Sequence, residues 1–198
     1  MGKFDVKDHY YKKAKQENYL ARSVYKLEEV DQKYNVVKKG DHAVDFGYHP
    51  GSWAQYLSRK VGEQGSVTGI DIRPINKKLL PTKNIKLFEK SIFDVENMGD
   101  LDRDSFFDLV VSDMAPNTTG IRSVDQDRSL NLVEMVYHLL PTFLKPGGNF
   151  VIKVFDSSDA QKFLRENKKM FAEYYQLKPK STRSISKEFF AIGKGFKA

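Results

Sequence analysis

The sequence predicts an α/β fold: a mostly parallel, seven-stranded sheet with a reversed last strand and helices on both faces. Three observations carry this. Short runs rich in Val, Ile and Phe alternate with segments whose apolar residues recur at three- and four-residue spacing, as in a doubly wound sheet. Several of the runs are apolar almost throughout, as strands covered on both faces are. The last two runs, 174–180 and 188–195, lie about seven residues apart. That is fewer than the dozen or more a parallel crossover needs, so they are expected to pair antiparallel.

Taken in order, Leu20 to Tyr34 is predicted helical, with Val24, Leu27, Val30 and Tyr34 on one face. "HAVDFG" (42–47) is the first strand, and "GSWAQYLSRKVG" (51–62) a helix that buries Trp53, Tyr56, Leu57 and Val61. "SVTGIDI" (66–72) is the second strand. "NIKLFEKS" (84–91) is the third, with Ile85, Leu87 and Phe93 facing inward. "FFDLVVSD" (106–113) is the fourth, and Leu130, Val133, Val136, Tyr137 and Leu140 predict a helix over 126–140. "GGNFVIKVF" (147–155) is the fifth strand and 157–171 a helix before the final pair. No internal repeat, low-complexity tract or linker interrupts the 198 residues. One domain over 1–198 is expected, with a basic segment and helix at 1–35 and a core at 36–198.

Composition narrows the class. There is no cysteine, so neither disulfides nor a Cys-based zinc site can form. The four histidines (His9, His42, His49, His138) lack metal-ligand spacing, so no metal is implied, and packing or solvent exposure is expected of His49. No run approaches the ~20 apolar residues of a membrane span. "MGKFDVKDHYYKK" lacks a signal-peptide core, and Val6 breaks the myristoylation pattern. A soluble, cytoplasmic protein is expected, with no membrane partner. The net charge of +7 is uneven: +4 over residues 1–26, +5 over 175–198 and −2 between. Two basic ends fit a polyanionic partner, although solvated basic tails give the same count.

The first strand runs into "VDFGYHPGSW", where Gly47 and Gly51 permit a tight turn at the edge where such sheets bind ligands. This is neither G-x-G-x-x-G nor a phosphate-binding G-K-[ST] loop, so a nicotinamide oxidoreductase is a remote reading. Asp45 lies in the first strand, Asp71 closes the second, and Asp94 follows the third. Each alone is an ordinary cap or turn residue. Together, beside a Gly-rich turn, they suit a positively charged nucleoside such as S-adenosylmethionine. Asp71 is placed for ribose hydroxyls and Asp94 for an adenine amino group.

A lysine raises the sharper question. Lys153 sits within "NFVIKVF", where a buried ammonium costs several kcal/mol unless paired or neutralised. In a parallel sheet, strand four ends at Asp113 and strand five near Lys153 on one edge, where a reversed strand beginning at Glu188 also starts. A buried salt bridge without chemistry would explain this equally well. Flanking apolar residues would lower such a lysine's pKa and let it act on a proton.

"VDFGYHPGSWAQ" resembles the cofactor loop of the FtsJ-like ribose 2′-O-methyltransferases, close to D-L-G-A-A-P-G-G-W. "DHYYKKAKQENYLARSVYKL", "SDMAPNTTG" and "STRSISKEFF" resemble that family's other signature segments. Tyr48-His49 and Ser52 depart from its small loop residues, while Gly47, Pro50, Gly51 and Trp53 remain. The resemblance implies a Rossmann-like methyltransferase sheet, S-adenosyl-L-methionine as cofactor, and a tetrad of Lys26, Asp113, Lys153 and Glu188. Cofactor contacts are then expected from Asp45, Gly47, Pro50, Gly51, Trp53, Asp71, Asp94 and Asp113.

It also implies RNA as substrate, first of all ribosomal RNA of the large subunit, for a protein expected to act as a monomer. A tRNA anticodon-loop enzyme and a non-catalytic RNA-binding assembly factor remain open. Lys12, Lys13, Lys15, Arg22 and Arg183 are the expected RNA-binding cations. Tyr10, Tyr11, Tyr19 and Tyr25 are interleaved with them and read either as stacking platforms or as half-buried helix residues.

Overall fold

The computed structural model describes residues 6–183 and 185–197. Met1 to Asp5 of the basic N-terminal segment, Ser184 of "STRSISKEFF" and Ala198 lie outside the described residues. Seven strands, β1 (His42–Phe46), β2 (Ser66–Asp71), β3 (Ile85–Glu89), β4 (Phe107–Ser112), β5 (Leu144–Phe155), β6 (Phe171–Leu177) and β7 (Glu188–Phe196), form one sheet. Their order is β3-β2-β1-β4-β5-β7-β6. β1 to β5 pair in parallel, and β7 runs antiparallel between β5 and β6. This is the expected sheet with a reversed last strand.

Among the described residues five α-helices pack around it: α1 (Val6–Gln16), α2 (Val24–Tyr34), α3 (Ser52–Val61), α4 (Arg122–Phe143) and α5 (Ser158–Asn167). Strand alternation sorts the core into two layers. Val44, Phe46, Val110, Phe150, Ile152 and Val154 meet Val133, Val136, Leu140 and Phe143 of α4 and Leu164 of α5. On the other face Ala43, Leu109, Val111, Val151, Phe190 and Ile192 meet Val24, Leu27 and Val30 of α2 and Trp53, Leu57 and Val61 of α3.

Several boundaries differ from expectation. α1 was not foreseen; it ends at Gln16, just before Asn18 takes a left-handed φ of 59°, and α2 begins at Val24 rather than Leu20. The Leu20 N–H instead donates to Gln55 Oε1 at 2.8 Å. α4 starts four residues before the predicted 126 and runs through Pro141. α5 ends at Asn167, with a single 3-10 turn (Lys168–Met170) completing the segment. β6 sits three residues earlier than 174–180. Phe93, expected inward, is exposed.

Candidate active site

The pleat of the sheet assembles the ionisable cluster. Leu109 and Val111 of β4, Val151 of β5, and Phe190 and Ile192 of β7 all face the α2–α3 layer. Stepping by two along each strand puts Asp113, Lys153 and Glu188 on that same face. α2 lies over them, and Lys26, one residue before buried Leu27, supplies the fourth group.

The four side chains are in contact. Lys26 Nζ is 2.5 Å from Glu188 Oε1 and 3.8 Å from Asp113 Oδ1. Lys153 Nζ donates to the backbone carbonyl of Asp113 at 2.6 Å and lies 3.1 Å from its Oδ1. Side-chain exposure is 6% for Lys153 and 12–18% for the other three, so the charges interact in a largely dry setting. Two cations and two carboxylates balance, which removes the penalty an isolated buried lysine would carry.

Beside Asp113 opens a cleft of about 380 Å³ at the carboxyl ends of β1, β2 and β4. Gly47, His49, Asp71, Phe93, Met114 and Asn117 are among its lining residues. Asp71 is held rigidly, its Oδ2 accepting from the His49 N–H at 3.0 Å and its Oδ1 from the Arg73 N–H at 2.9 Å. Each carboxylate oxygen keeps a second acceptor site. Gly47 has a φ of 76°, and a Cβ there would meet Met114 Cγ at 2.1 Å, so only glycine admits the methionine. Gly51, at φ 113°, is closed in the same way by Leu79.

A smaller cavity next to the cleft is lined by Ser23, Asp45, Gly47, Tyr48, Pro50, Trp53 and Asp113, among others. Neither carboxylate oxygen of Asp45 has a hydrogen-bond partner among the described residues. Burial pushes this carboxyl well above the ordinary range, and the charges of Asp113 and Asp71 add to the shift.

The expected cofactor residues therefore divide. Gly47 and Asp113 line both the large cleft and the small cavity, Asp71 lines the large cleft, and Asp45, Pro50 and Trp53 line the small cavity. Gly51 lies beneath, packed on Leu79. Trp53 is buried and donates from Nε1 to the Ser23 carbonyl at 2.8 Å, tying α3 to the start of α2. Asp94 is exposed on a separate 3-10 turn (Ile92–Asp94), because β3 stops at Glu89; its neighbour Phe93 lines the cleft instead. His49 was expected to pack or face solvent, yet it lines both cavities. Its place between Gly47 and Gly51 was the available signal.

The expected RNA-binding cations lie on α1 (Lys12, Lys13, Lys15), before α2 (Arg22) and in the β6–β7 loop (Arg183). Lys13 sits over the Tyr25 ring at 4.3 Å and near Glu17 and Glu28. The stacking role offered for the tyrosines fails at Tyr25. That ring is 2% exposed, its hydroxyl donates to Glu17, and it belongs to the core because α1 folds back onto it. Tyr10 and Tyr19 are half-buried and Tyr11 is exposed. Among the described residues there is no cluster suited to a metal ion and no helix long and apolar enough to cross a membrane.

Comparison with known proteins follows this geometry. The chain is 47% identical over 194 residues to the ribosomal RNA large subunit methyltransferase E of Bdellovibrio bacteriovorus, covering 96% of this chain and 97% of that protein. It is 42% identical to the protein of the same name in Brachyspira hyodysenteriae, with 97% of each covered. Among solved structures, a ribosomal RNA methyltransferase from Plasmodium falciparum matches with a TM-score of 0.76 and 27% identity, covering 90% of this chain and 98% of that one. The family model described as FtsJ-like methyltransferase spans residues 19–196, which takes in all four clustered ionisable residues and both cavities. On this match, and on a sheet of the same design, the chain belongs to the FtsJ-like methyltransferases.

Proposed function

We propose that this protein methylates a ribose 2′-hydroxyl of large-subunit ribosomal RNA, with S-adenosyl-L-methionine as methyl donor and Lys26, Asp113, Lys153 and Glu188 as the reacting constellation. One observation carries the reading: a dry, charge-balanced Lys–Asp–Lys–Glu cluster borders a cleft whose floor holds Asp71. The relatives named for ribosomal RNA large-subunit methylation support the substrate. The residues fit the donor. Asp71 offers acceptors for ribose hydroxyls, exposed Ile72 and Phe93 offer apolar surface for a base, Asp113 favours a cation, and Asp45 lies buried in the small cavity beside it. Asp94, one residue beyond Phe93, is available to an exocyclic amine.

When bound, the donor supplies a methyl group already activated on a positive sulfur. The chain's own task is then to orient a weak nucleophile and remove its proton. Lys153, once it has given up a proton to solvent, accepts the hydroxyl proton as the new carbon–oxygen bond forms, which returns the cluster to two cations and two carboxylates. The Asp113 carbonyl and carboxylate fix the direction of its Nζ. Lys26 and Glu188 hold the ribose and keep the cluster's charge balanced. Lys12, Lys15, Arg22 and Arg183 are assigned to backbone phosphates, and Lys13 contributes at the edge of its own ion pairs.

The test is transfer of labelled methyl from S-adenosylmethionine to unmodified large-subunit RNA, ribosomal subunits and tRNA. Label confined to large-subunit RNA and resistant to alkaline hydrolysis at one nucleotide is expected. Label in tRNA alone would move the substrate assignment, and no label with both ligands still bound would leave an RNA-binding assembly factor.

A further inference from the structure

A second cavity of about 310 Å³ lies beyond the cluster, lined by residues that include Arg122, Gln126, Phe155, Asp156, Ile185 and Glu188. The sheet order explains its place. The donor cleft occupies the ends of β2, β1 and β4; the cluster spans β4, β5 and β7; this cavity sits where β5 ends and β7 begins. Phe155 and Glu188 are direct register partners across that strand pair. Asp113 thus borders the donor cleft and Glu188 the second cavity, with Lys26 touching both acids.

We infer that this cavity receives the base of the acceptor nucleotide, unstacked from its RNA, and that Ile185 is the side chain the base packs against. The inference rests on the proposed ribose methylation. Displacement at the methyl carbon requires the oxygen to approach opposite the departing sulfur. With the donor on the Asp113 side, the acceptor enters from the Glu188 side, where this cavity lies. The four reacting side chains are at most 18% exposed, so a ribose must be drawn in rather than touched at a helix surface. Enzymes reach buried nucleotides by extruding them from the stack into a pocket.

The lining suits a base. Half-buried Phe155 presents an aromatic side chain, and Ile185 stands 87% exposed, an apolar side chain that belongs to neither core layer among the described residues. The walls are fixed in place. Asp125 accepts from the Thr119 and Gly120 N–H groups at 2.7 and 3.2 Å, and Gln126 Nε2 donates to the Asp156 carbonyl at 2.6 Å. The Asp156 N–H donates to the Lys187 carbonyl at 2.9 Å. Arg122 and Lys187, both exposed, are placed for the flanking phosphates.

The test compares full-length native protein with Ile185→Ser and Ile185→Phe, using labelled methyl transfer to unmodified large-subunit RNA, filter binding of the same RNA and titration of S-adenosylmethionine. Ile185→Ser is expected to lower kcat/KM about tenfold, the scale of one base-packing contact, and to spread label to neighbouring nucleotides. RNA and donor affinities should stay within about twofold, and Ile185→Phe should restore rate and site selection. An active native protein whose Ile185→Ser variant keeps both kcat/KM and a single labelled nucleotide would overturn the pocket assignment alone. A variant that loses RNA affinity in proportion to rate would also overturn it, reducing Ile185 to a docking contact. An inactive native protein would sink the underlying ribose-methylation reading and this assignment with it.

Discussion

Lys153 and Asp113 meet twice: the lysine Nζ donates to the aspartate's backbone carbonyl at 2.6 Å and lies 3.1 Å from the carboxylate Oδ1. A side chain gripped by both the main chain and the side chain of one neighbour has little rotational freedom left. Such preorganisation is what a positioned base needs, whereas an ordinary surface ion pair has no use for it. Lys153→Met keeps the stem and removes the amine. Methyl transfer is expected to fall at least about 100-fold, with donor affinity changed less than about threefold, as read by single-turnover transfer and calorimetric titration.

Asp71 accepts one backbone N–H at each carboxylate oxygen, so its place is set by the loop that carries His49 and Arg73. Asp71→Ala removes charge-assisted acceptors worth about 1.5–3 kcal/mol each. Donor affinity should fall about 10- to 100-fold, while RNA retention on a filter is unchanged. An unaltered donor Kd would remove Asp71 from the cofactor site.

Glu29 lies one helical turn beyond Lys26 on α2, and its two oxygens accept from the backbone N–H groups of Lys180 and Ser181 at 2.7 and 2.9 Å. The helix that positions Lys26 therefore also pins the β6–β7 loop that leads to Glu188. Glu29→Ala is expected to destabilise the fold by about 1–3 kcal/mol and to lower kcat with little change in donor affinity. A melting curve and transfer kinetics on the same sample check both halves.

Asp45 ties pH to stability. Its folded carboxyl titrates well above the unfolded value of about 3.9, chiefly because it is buried, with Asp113 and Asp71 adding repulsion. As pH rises past the unfolded pKa, the unfolded chain releases this proton while the folded chain retains it. Stability from this site is thus highest below about pH 4 and declines as pH climbs toward the folded pKa. Asp45→Asn removes the dependence. Without donor, the variant's Tm relative to native should increase between pH 4 and pH 8; a constant difference would mean the carboxylate is ionised in the fold.

The alternation of apolar runs and helical spacing made the sheet and its reversed strand legible, because both follow from residues that must face a core. Lys153 was legible for the opposite reason, as a charge where the pattern demanded none. The misses have local causes. Among the described side chains of α1, Ala14 is the one buried apolar residue, so its periodicity is faint. β6 is an edge strand whose position is set by pairing Phe171 with Phe196, not by its own pattern. Tyr25 read either as a stacking platform or as a half-buried helix residue, and the return of α1 over α2 buries it fully. The cavity beside Glu188 draws on 120–126, 155–156 and 185–188, stretches that no spacing rule connects.

The Lys26–Glu188 contact, at 2.5 Å, joins residues near opposite ends of the chain, and β7 is wedged between two strands that precede it in sequence. The four groups of the proposed constellation therefore come together only through long-range closure, which folds slowly. A partly opened state with α2 lifted away keeps most of the sheet but loses the Lys26 charge from the cluster. Turnover is then expected to fail at or before the global melt, because it needs α2 in place as well as the sheet.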